Sequence, residues 1–207
     1  NIKTGLGDNK RFTFITFKDL LYCFNGVDNN QVFDGTNCVD MGVPVPTAPT
    51  LALTTGALTG AYYYKVTYMI DGYQEGSASV ASAVINPAGQ GVTVTIPVSS
   101  NIRATHRKIY RTKAGGSIYY LLTTISNNTT LTYTDNTPDT SLDVTVAPTD
   151  YGVPASYRYA ALHNSRVFLA RNSTFKSRII YSDIRNGIAY PDVFPADNYF
   201  DIAKDDG

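Results

Sequence analysis

Tryptophan is absent from the 207 residues, and histidine, cysteine and methionine occur only twice each. Charged side chains make up 16% of the chain, 17 basic against 17 acidic, so the formal net charge is zero. Little charge combined with many aromatic and β-branched residues argues against intrinsic disorder. Zero net charge argues against affinity for nucleic acid through phosphate neutralisation, and it supports no basic membrane-surface patch. No apolar run approaches the roughly 20 residues of a membrane helix, and no signal peptide is visible. The chain opens on Asn1 and closes on Asp205-Asp206-Gly207, which reads as a piece of something longer. Cys23 and Cys38 cannot make a disulfide framework. They read as small buried hydrophobes in a reducing compartment, with a disulfide between neighbouring strands as the open alternative. His106 and His163 lack ligand spacing, so no metal site is expected.

What the chain has instead is tyrosine, 16 residues of it, with 9 phenylalanines and an apolar content of 43%. That is enough for a core, and the length fits one large all-β domain or two ordinary ones, at about 100–200 residues per domain. Strand signals run from end to end. Tyr62, Tyr64, Val66, Tyr68 and Ile70 fall on one face of a period-2 pattern, with Lys65 and Thr67 on the other. Val92 to Ile96, Lys108 to Thr112, Tyr119 to Thr123, Leu131 with Tyr133, and Val144 with Val146 continue it. Turn signals separate them at Asp71-Gly72, Pro87 to Gly91, Gly115-Gly116, Asn127-Asn128 and Thr137-Pro138-Asp139. Short strands at such spacing suggest a β-sandwich or barrel, and no stretch carries a 3.6-residue apolar stripe.

Proline marks the boundaries. Val43-Pro44-Val45-Pro46-Thr47-Ala48-Pro49 cannot continue a central strand, because proline lacks the ladder donor. Ala147 to Pro154 is a second such place. Residues 46–154 therefore read as one inserted sandwich of immunoglobulin or fibronectin type III size, between flanks 1–45 and 155–207. The flanks resemble each other. Phe12–Phe17, Lys18-Asp19, Leu20–Phe24, a polar loop, and Gln31–Phe33 ending at Asp34-Gly35 form one series. Tyr157–Leu162, His163-Asn164-Ser165, Arg166–Ala170, a polar loop, and Arg178–Tyr181 ending at Ser182-Asp183 repeat it. Repeated antiparallel meanders build β-propellers, which need about four to eight blades. The fold class expected is all-β, with the sandwich inserted between two propeller-blade-like meanders. Insertion at a loop costs little, since closure entropy grows slowly with loop length.

Catalytic chemistry is not apparent. No Gly-x-Ser-x-Gly elbow occurs, since Gly76-Ser77-Ala78-Ser79 lacks the second glycine. No phosphate loop or dinucleotide fingerprint is present; Gly56 and Gly60 have the wrong spacing. Asp34, Asp71, Asp135, Asp139 and Asp183 sit in turn contexts, where aspartate ordinarily bonds its own backbone, so a glycosidase pair is not expected. Asp28, Asn29, Asn30 and Asp34 are the better calcium candidates but do not match the EF-hand spacing. No catalytic residue, cofactor or metal is therefore assigned, and the chain reads as non-enzymatic. The candidate interface residues are Tyr63, Tyr73, Arg103, Arg107, Arg111, Tyr119 and Tyr120. Tyrosine runs on strands put rings on both faces, and exposed tyrosine is enriched at interfaces and sugar-stacking sites. Alternation puts Arg103, Arg107 and Arg111 on one side. A solvated strand face is the first expectation for them, subunit contacts the next, with DNA contact a minor option.

The phrase Leu21-Tyr22-Cys23-Phe24-Asn25-Gly26, then Val32-Phe33-Asp34-Gly35, then Gly42-Val43-Pro44, resembles virion proteins of tailed bacteriophages. So do Gly60 to Tyr64, Asp71 to Ser77, Arg107 to Thr112 and Tyr133-Thr134-Asp135 in the insert, which is similar to their fibronectin-like insertions. Asn164 to Ala170 and Ile180-Tyr181-Ser182 mark the second meander, and Tyr199 to Gly207 resembles the point where a next blade begins. The resemblance implies a short-tail hub, nozzle or head-to-tail stabilisation protein located in the virion. It implies a homo-oligomeric ring, six-fold in the family, around a DNA channel. Partners would be copies of the chain and other tail or portal proteins, with passive DNA contact and no membrane span. The alternative is a glycan- or receptor-binding module of a phage tail or bacterial surface protein, built on tyrosine and turn-borne Asp and Asn.

Overall fold

A computed structural model describes residues 3–7 and 10–202. The protein is all-β: nineteen strands and one short 3-10 turn, Asp139–Ser141, occur among the described residues. None of these elements is a helix long and apolar enough to cross a membrane. The chain divides into two compact units, Val43–Thr149 and a second assembled from Asn1–Gly42 with Asp150–Gly207.

The first flank forms β1 (Thr13–Phe17), β2 (Leu20–Phe24), β3 (Gln31–Phe33) and β4 (Cys38–Asp40), an antiparallel sheet in sequential order. Lys18 and Asp19 both take positive φ, 52° and 60°, which is the two-residue hairpin turn whose twist matches the strands. Cys23 and Cys38 are free. They lie on β2 and β4 with β3 between them. Two strand spacings of roughly 4.8 Å exceed the reach of about 7 Å that a disulfide allows between Cα atoms.

Between the flanks come β5 (Thr50–Thr59), β6 (Tyr64–Ile70), β7 (Gln74–Glu75), β8 (Ala88–Thr95), β9 (Ala104–Thr112), β10 (Tyr119–Ile125) and β11 (Thr132–Asp135). They make two sheets, ordered β10-β9-β6-β7 and β11-β8-β5. Leu58, Val92, Val94 and Tyr133 from one sheet meet Tyr64, Val66, Ile109 and Ile125 from the other in one hydrophobic core. The expected turn at Pro87 to Gly91 is instead the start of β8, and β5 is a strand where the sequence reading placed none. Gly56 lies where β5 slips register against β8, and a Cβ there would sit 2.4 Å from the Gly91 nitrogen.

Two further stretches run along this unit without forming regular strands. The segment expected as a Val144–Val146 strand does bond β10, through Leu121 N–H to the Thr145 carbonyl at 2.9 Å and Ala147 N–H to the Tyr119 carbonyl at 3.0 Å. The side chains of Val144 and Val146 are nevertheless exposed. On the other side, Gly76, Ser79, Ser82 and Ile85 donate in turn to the carbonyls of Tyr68, Val66, Tyr64 and Tyr62. Three residues therefore match two of β6, so the segment advances about 2.2 Å per residue where a strand advances about 3.3 Å. The Ser79 and Ser82 hydroxyls accept the Val66 and Tyr64 N–H groups at 3.1 and 2.9 Å, supplying acceptors that a coiled backbone cannot.

The second flank holds β12 (Tyr151–Gly152), β13 (Tyr159–His163), β14 (Arg166–Ala170), β15 (Arg178–Tyr181), β16 (Asp183–Arg185), β17 (Ile188–Tyr190), β18 (Phe194–Pro195) and β19 (Tyr199–Asp201). β13, β14, β15 and β19 form a second four-stranded antiparallel sheet. Tyr199–Asp201, expected to open a next blade, instead closes this sheet against β15; residues 203–207 of that stretch lie outside the described residues.

The two flanks match in detail. Asn164 and Ser165 repeat the positive φ pair of Lys18 and Asp19, at 45° and 59°. The loop after β2 opens with Asn25, whose Oδ1 accepts the Val27 and Asp28 N–H groups at 3.0 and 2.9 Å. The loop after β14 carries Asn172 at its second position, and the Asn172 Oδ1 accepts the Thr174 and Phe175 N–H groups at 2.9 and 2.5 Å. The flanks are also one folding unit. Tyr22, Phe24, Val32 and Met41 share a core with Tyr157, Val167, Leu169 and Phe194. Asn30, 2% exposed, accepts the Tyr157 N–H at 2.9 Å and donates to the Ala155 carbonyl at 2.8 Å.

Candidate interaction surface

The arginines expected on a solvated face point inward. Arg103, Arg107 and Arg111 are 7%, 0% and 0% exposed. Arg111 bridges the two sheets of its unit: Nη1 reaches Asp135 Oδ2 at 2.6 Å and Nη2 reaches Asp139 Oδ1 at 2.7 Å. The Tyr64 hydroxyl donates to the same Asp135 oxygen at 2.8 Å. Burial and the Asp135 carboxylate push the Tyr64 phenol far above its ordinary range. Arg107 is satisfied by neutral acceptors, the carbonyls of Pro97, Asn127 and Thr130 and the Asn127 side chain. Arg103 grips Asp71, which Gln74 also contacts. These three side chains hold the unit together and are not available to a partner.

The tyrosines divide differently. Tyr63, Tyr73, Tyr119 and Tyr120 are all half-buried. Lys65 Nζ sits 4.6 Å from the Tyr119 ring centre and Lys113 Nζ 5.1 Å from that of Tyr120, so ammonium groups already cover ring faces that a sugar would stack on. The turn carboxylates are likewise engaged. Asp34 accepts two N–H groups of its own turn, Asp139 takes the Ala114 N–H, and Asp183 takes that of Ile184. The calcium candidates diverge: Asp28 bonds Asn25, Asn29 bonds Asp40, and Asn30 bonds Ala155. Among the described residues no three His, Cys, Asp or Glu side chains gather. Burial, reinforced by Cys38, pushes the Cys23 thiol up to about 11, so the nucleophilic thiolate is disfavoured there.

The unclaimed surface lies on the unit built from the flanks. Its two four-stranded sheets each give one face to the shared core, and strand alternation leaves each a second face. On the sheet of β13, β14, β15 and β19 that outer face is aromatic. His163, Phe168, Tyr181 and Phe200, one from each strand, form a row with ring centres 6.4, 5.7 and 6.5 Å apart. The Arg166 guanidinium lies 5.1 Å over Tyr181. Tyr159 and Phe200 stay 45% and 44% exposed. On the sheet of β1 to β4 the outer face carries Phe14, Leu21, Cys23 and Phe33, which with Leu6 and Phe12 line an apolar hollow of about 510 Å³. Phe12 and Phe14 stack at 5.7 Å, and Phe14 remains 58% exposed.

Sequence reasoning did not pick out this aromatic row. Its signal is present: Val167, Phe168, Leu169 and Ala170 are apolar on both faces, a pattern typical of strands covered on both sides. The structure covers one side. No known family model matches the chain, and no curated protein matches it.

Proposed function

We propose that the chain is a non-enzymatic structural protein that assembles into a ring by stacking sheet on sheet, as part of a tailed-bacteriophage tail or head-to-tail assembly. The observation that carries this reading is the pair of apolar outer faces on the flank-built unit. Exposed apolar patches of this kind mark interaction sites. The occupant proposed is a second copy, in a front-to-back contact. The flank-built unit already stacks two such sheets on one core, so the same mode extends outward. Charge is compatible with a front-to-back pairing. The turn ends of the two sheets carry charges of both signs, Lys18, Asp19 and Asp34 on the first and Arg166 and Asp183 on the second, which permits pairing of unlike ends. A contact between unlike faces makes a closed ring when its rotation closes.

The virion assignment, the fibronectin-like character of the insert, the propeller-blade character of the flanks and the six-fold order rest on the family resemblance. In that reading the partners are copies of the chain and neighbouring tail or portal proteins, and the location is the virion. The covered rings of Tyr119 and Tyr120 weigh against the glycan-binding alternative. Native mass spectrometry and electron microscopy test the proposal. A discrete closed oligomer with a central channel is expected. Phe168→Glu should return the chain to a monomer that still unfolds cooperatively, with the midpoint lowered only by the loss of assembly. A native chain that stays monomeric at micromolar concentration, or a Phe168→Glu variant that still assembles, refutes the stacking mode.

A further inference from the structure

A hollow of about 460 Å³ in the flank-built unit is lined by Lys10, Arg11, Arg158, Arg171 and Lys176, with Asn25, Gly26, Val27, Asn172 and Ser173 completing the wall. Five of the chain's 17 basic side chains thus converge in one place on a molecule of zero net charge. Among the described residues no carboxylate lines the hollow; Asp28, next in sequence to Val27, feels Lys10, but its Oδ2 is bonded by Asn25 and by the Gly7 N–H. Among the described residues, Arg11, Arg171 and Lys176 make no ion pair.

The fold brings these cations together through its internal repeat. Lys10 and Arg11 lead into β1, and Arg158 leads into β13. The loops that carry the matched Asn25 and Asn172 close the other side. Gly26 N–H donates to the Tyr157 carbonyl, and Arg158 N–H to the Arg171 carbonyl, both at 3.0 Å. Gly26 is required for that approach: a Cβ there would lie 2.8 Å from Arg158 Cβ, and its φ is +77°. Like charges gathered in one place repel, and among the described residues no acid lines the hollow, so an external anion would relieve that repulsion.

We propose that this cleft binds the phosphate groups of a nucleic-acid backbone without reading its bases. All five cations are on exposed side chains. A small free anion would need buried, convergent donors, whereas a polymer of phosphates gains from several weak, solvated contacts at once. No aromatic ring lines the hollow, so it lacks the stacking platform of a base-reading site. Val27 is the one apolar side chain there, too little to insert into a lipid layer. The inference holds whether the chain is a ring or a monomer, and goes beyond the assembly reading.

The experiment is fluorescence anisotropy of the full chain with a labelled DNA duplex at low salt, about 50 mM, repeated up a salt series. Binding is expected, with a log–log salt slope of up to about −4.5 if all five cations meet phosphates. The variant Lys10→Gln/Arg11→Gln/Lys176→Gln should bind at least about tenfold more weakly and flatten the slope by about 2.7. Its thermal unfolding should match the native chain, and Lys113→Gln in the other unit should bind as the native chain does. Four results overturn the proposal: no duplex binding by the native chain; a triple variant that binds equally well; displacement of duplex by stoichiometric pyrophosphate, which would make the occupant a small anion; or binding to anionic phospholipid vesicles without binding to duplex.

Discussion

Arg111 and Asp135 form a fully buried ion pair with the Tyr64 hydroxyl as third member. Removing one partner of such a pair leaves a charge in the interior, so Arg111→Met is expected to cost about 3–5 kcal/mol in urea unfolding. Arg111→Met/Asp135→Leu should recover part of that loss, since no fully buried charge remains, although Asp139 then loses its guanidinium and the Tyr64 hydroxyl its acceptor. Tyr64 also sets an alkaline limit. Its folded pKa lies above the unfolded value of about 10, so its contribution is complete below that value. It is lost as pH rises, by up to about 1.4 kcal/mol per pH unit. Tyr62, Tyr68, Tyr119 and Tyr157 are raised in the same direction by burial. Stability should therefore hold to about pH 9 and fall above pH 10. Tyr64→Phe should be less stable at neutral pH but show a shallower alkaline decline; equal slopes would contradict the assignment. At this scale the sequence was only half legible. Alternation put Arg107 and Arg111 on one face, as β9 has them, but a register shift at Met69/Ile70 gives that face Ala104 in place of Arg103. Alternation could not say that the face is internal, because the groups that make burial tolerable lie far along the chain: Asp71 is 32 residues from Arg103, and Asp135 is 24 from Arg111.

The serine-bearing segment beside β6 is held by a different economy. Its backbone coils too tightly to offer a carbonyl to every facing N–H, and the Ser79 and Ser82 hydroxyls fill the gaps. Each hydroxyl then donates to the carbonyl of the following residue, at 2.8 and 2.9 Å. Ser82→Ala leaves the Tyr64 N–H buried without an acceptor and should cost about 1–3 kcal/mol. Amide exchange at Tyr64 should accelerate more than at Val66, and Ser79→Ala should reverse that order; uniform acceleration would mean the hydroxyls act only through global stability. In sequence, Gly76-Ser77-Ala78-Ser79 shows only a nucleophile elbow that lacks its second glycine, and the Ser79–Ser82 spacing of three does not match the strand period of two. Where turn residues bound a short apolar run, the elements were legible: β2 and β3, set off by Lys18-Asp19, Asn25-Gly26 and Asp34-Gly35, fall at their expected bounds. Asn186-Gly187, with φ of 50° and 76°, closes a hairpin that turn chemistry announces but that went unassigned. β5 was missed because Gly56 and a register slip break its pattern.

At the level of the whole molecule, the two cores make separable predictions. Leu169 is fully buried in the core shared by the flanks, and Ile109 in that of Val43–Thr149. Truncating a buried Leu or Ile to Ala costs about 2–5 kcal/mol. Leu169→Ala should lower the unfolding midpoint of amides in β2 and β14 while leaving those in β6 and β9 unchanged, and Ile109→Ala should do the converse. A single transition that shifts equally with both substitutions would mean the units unfold as one. The flank-built core also explains why one stretch of sequence cannot account for its own unit. Neither flank buries its sheet alone, since Tyr22, Phe24 and Val32 come from one and Val167, Leu169 and Phe194 from the other. Val43–Thr149 supplies all of its own core, so expressed alone it should fold cooperatively. Residues 150–207 alone should not. A soluble, cooperatively folded 150–207 fragment would show that each sheet can stand without its mate, and would remove the physical reason for expecting its aromatic outer face to need one.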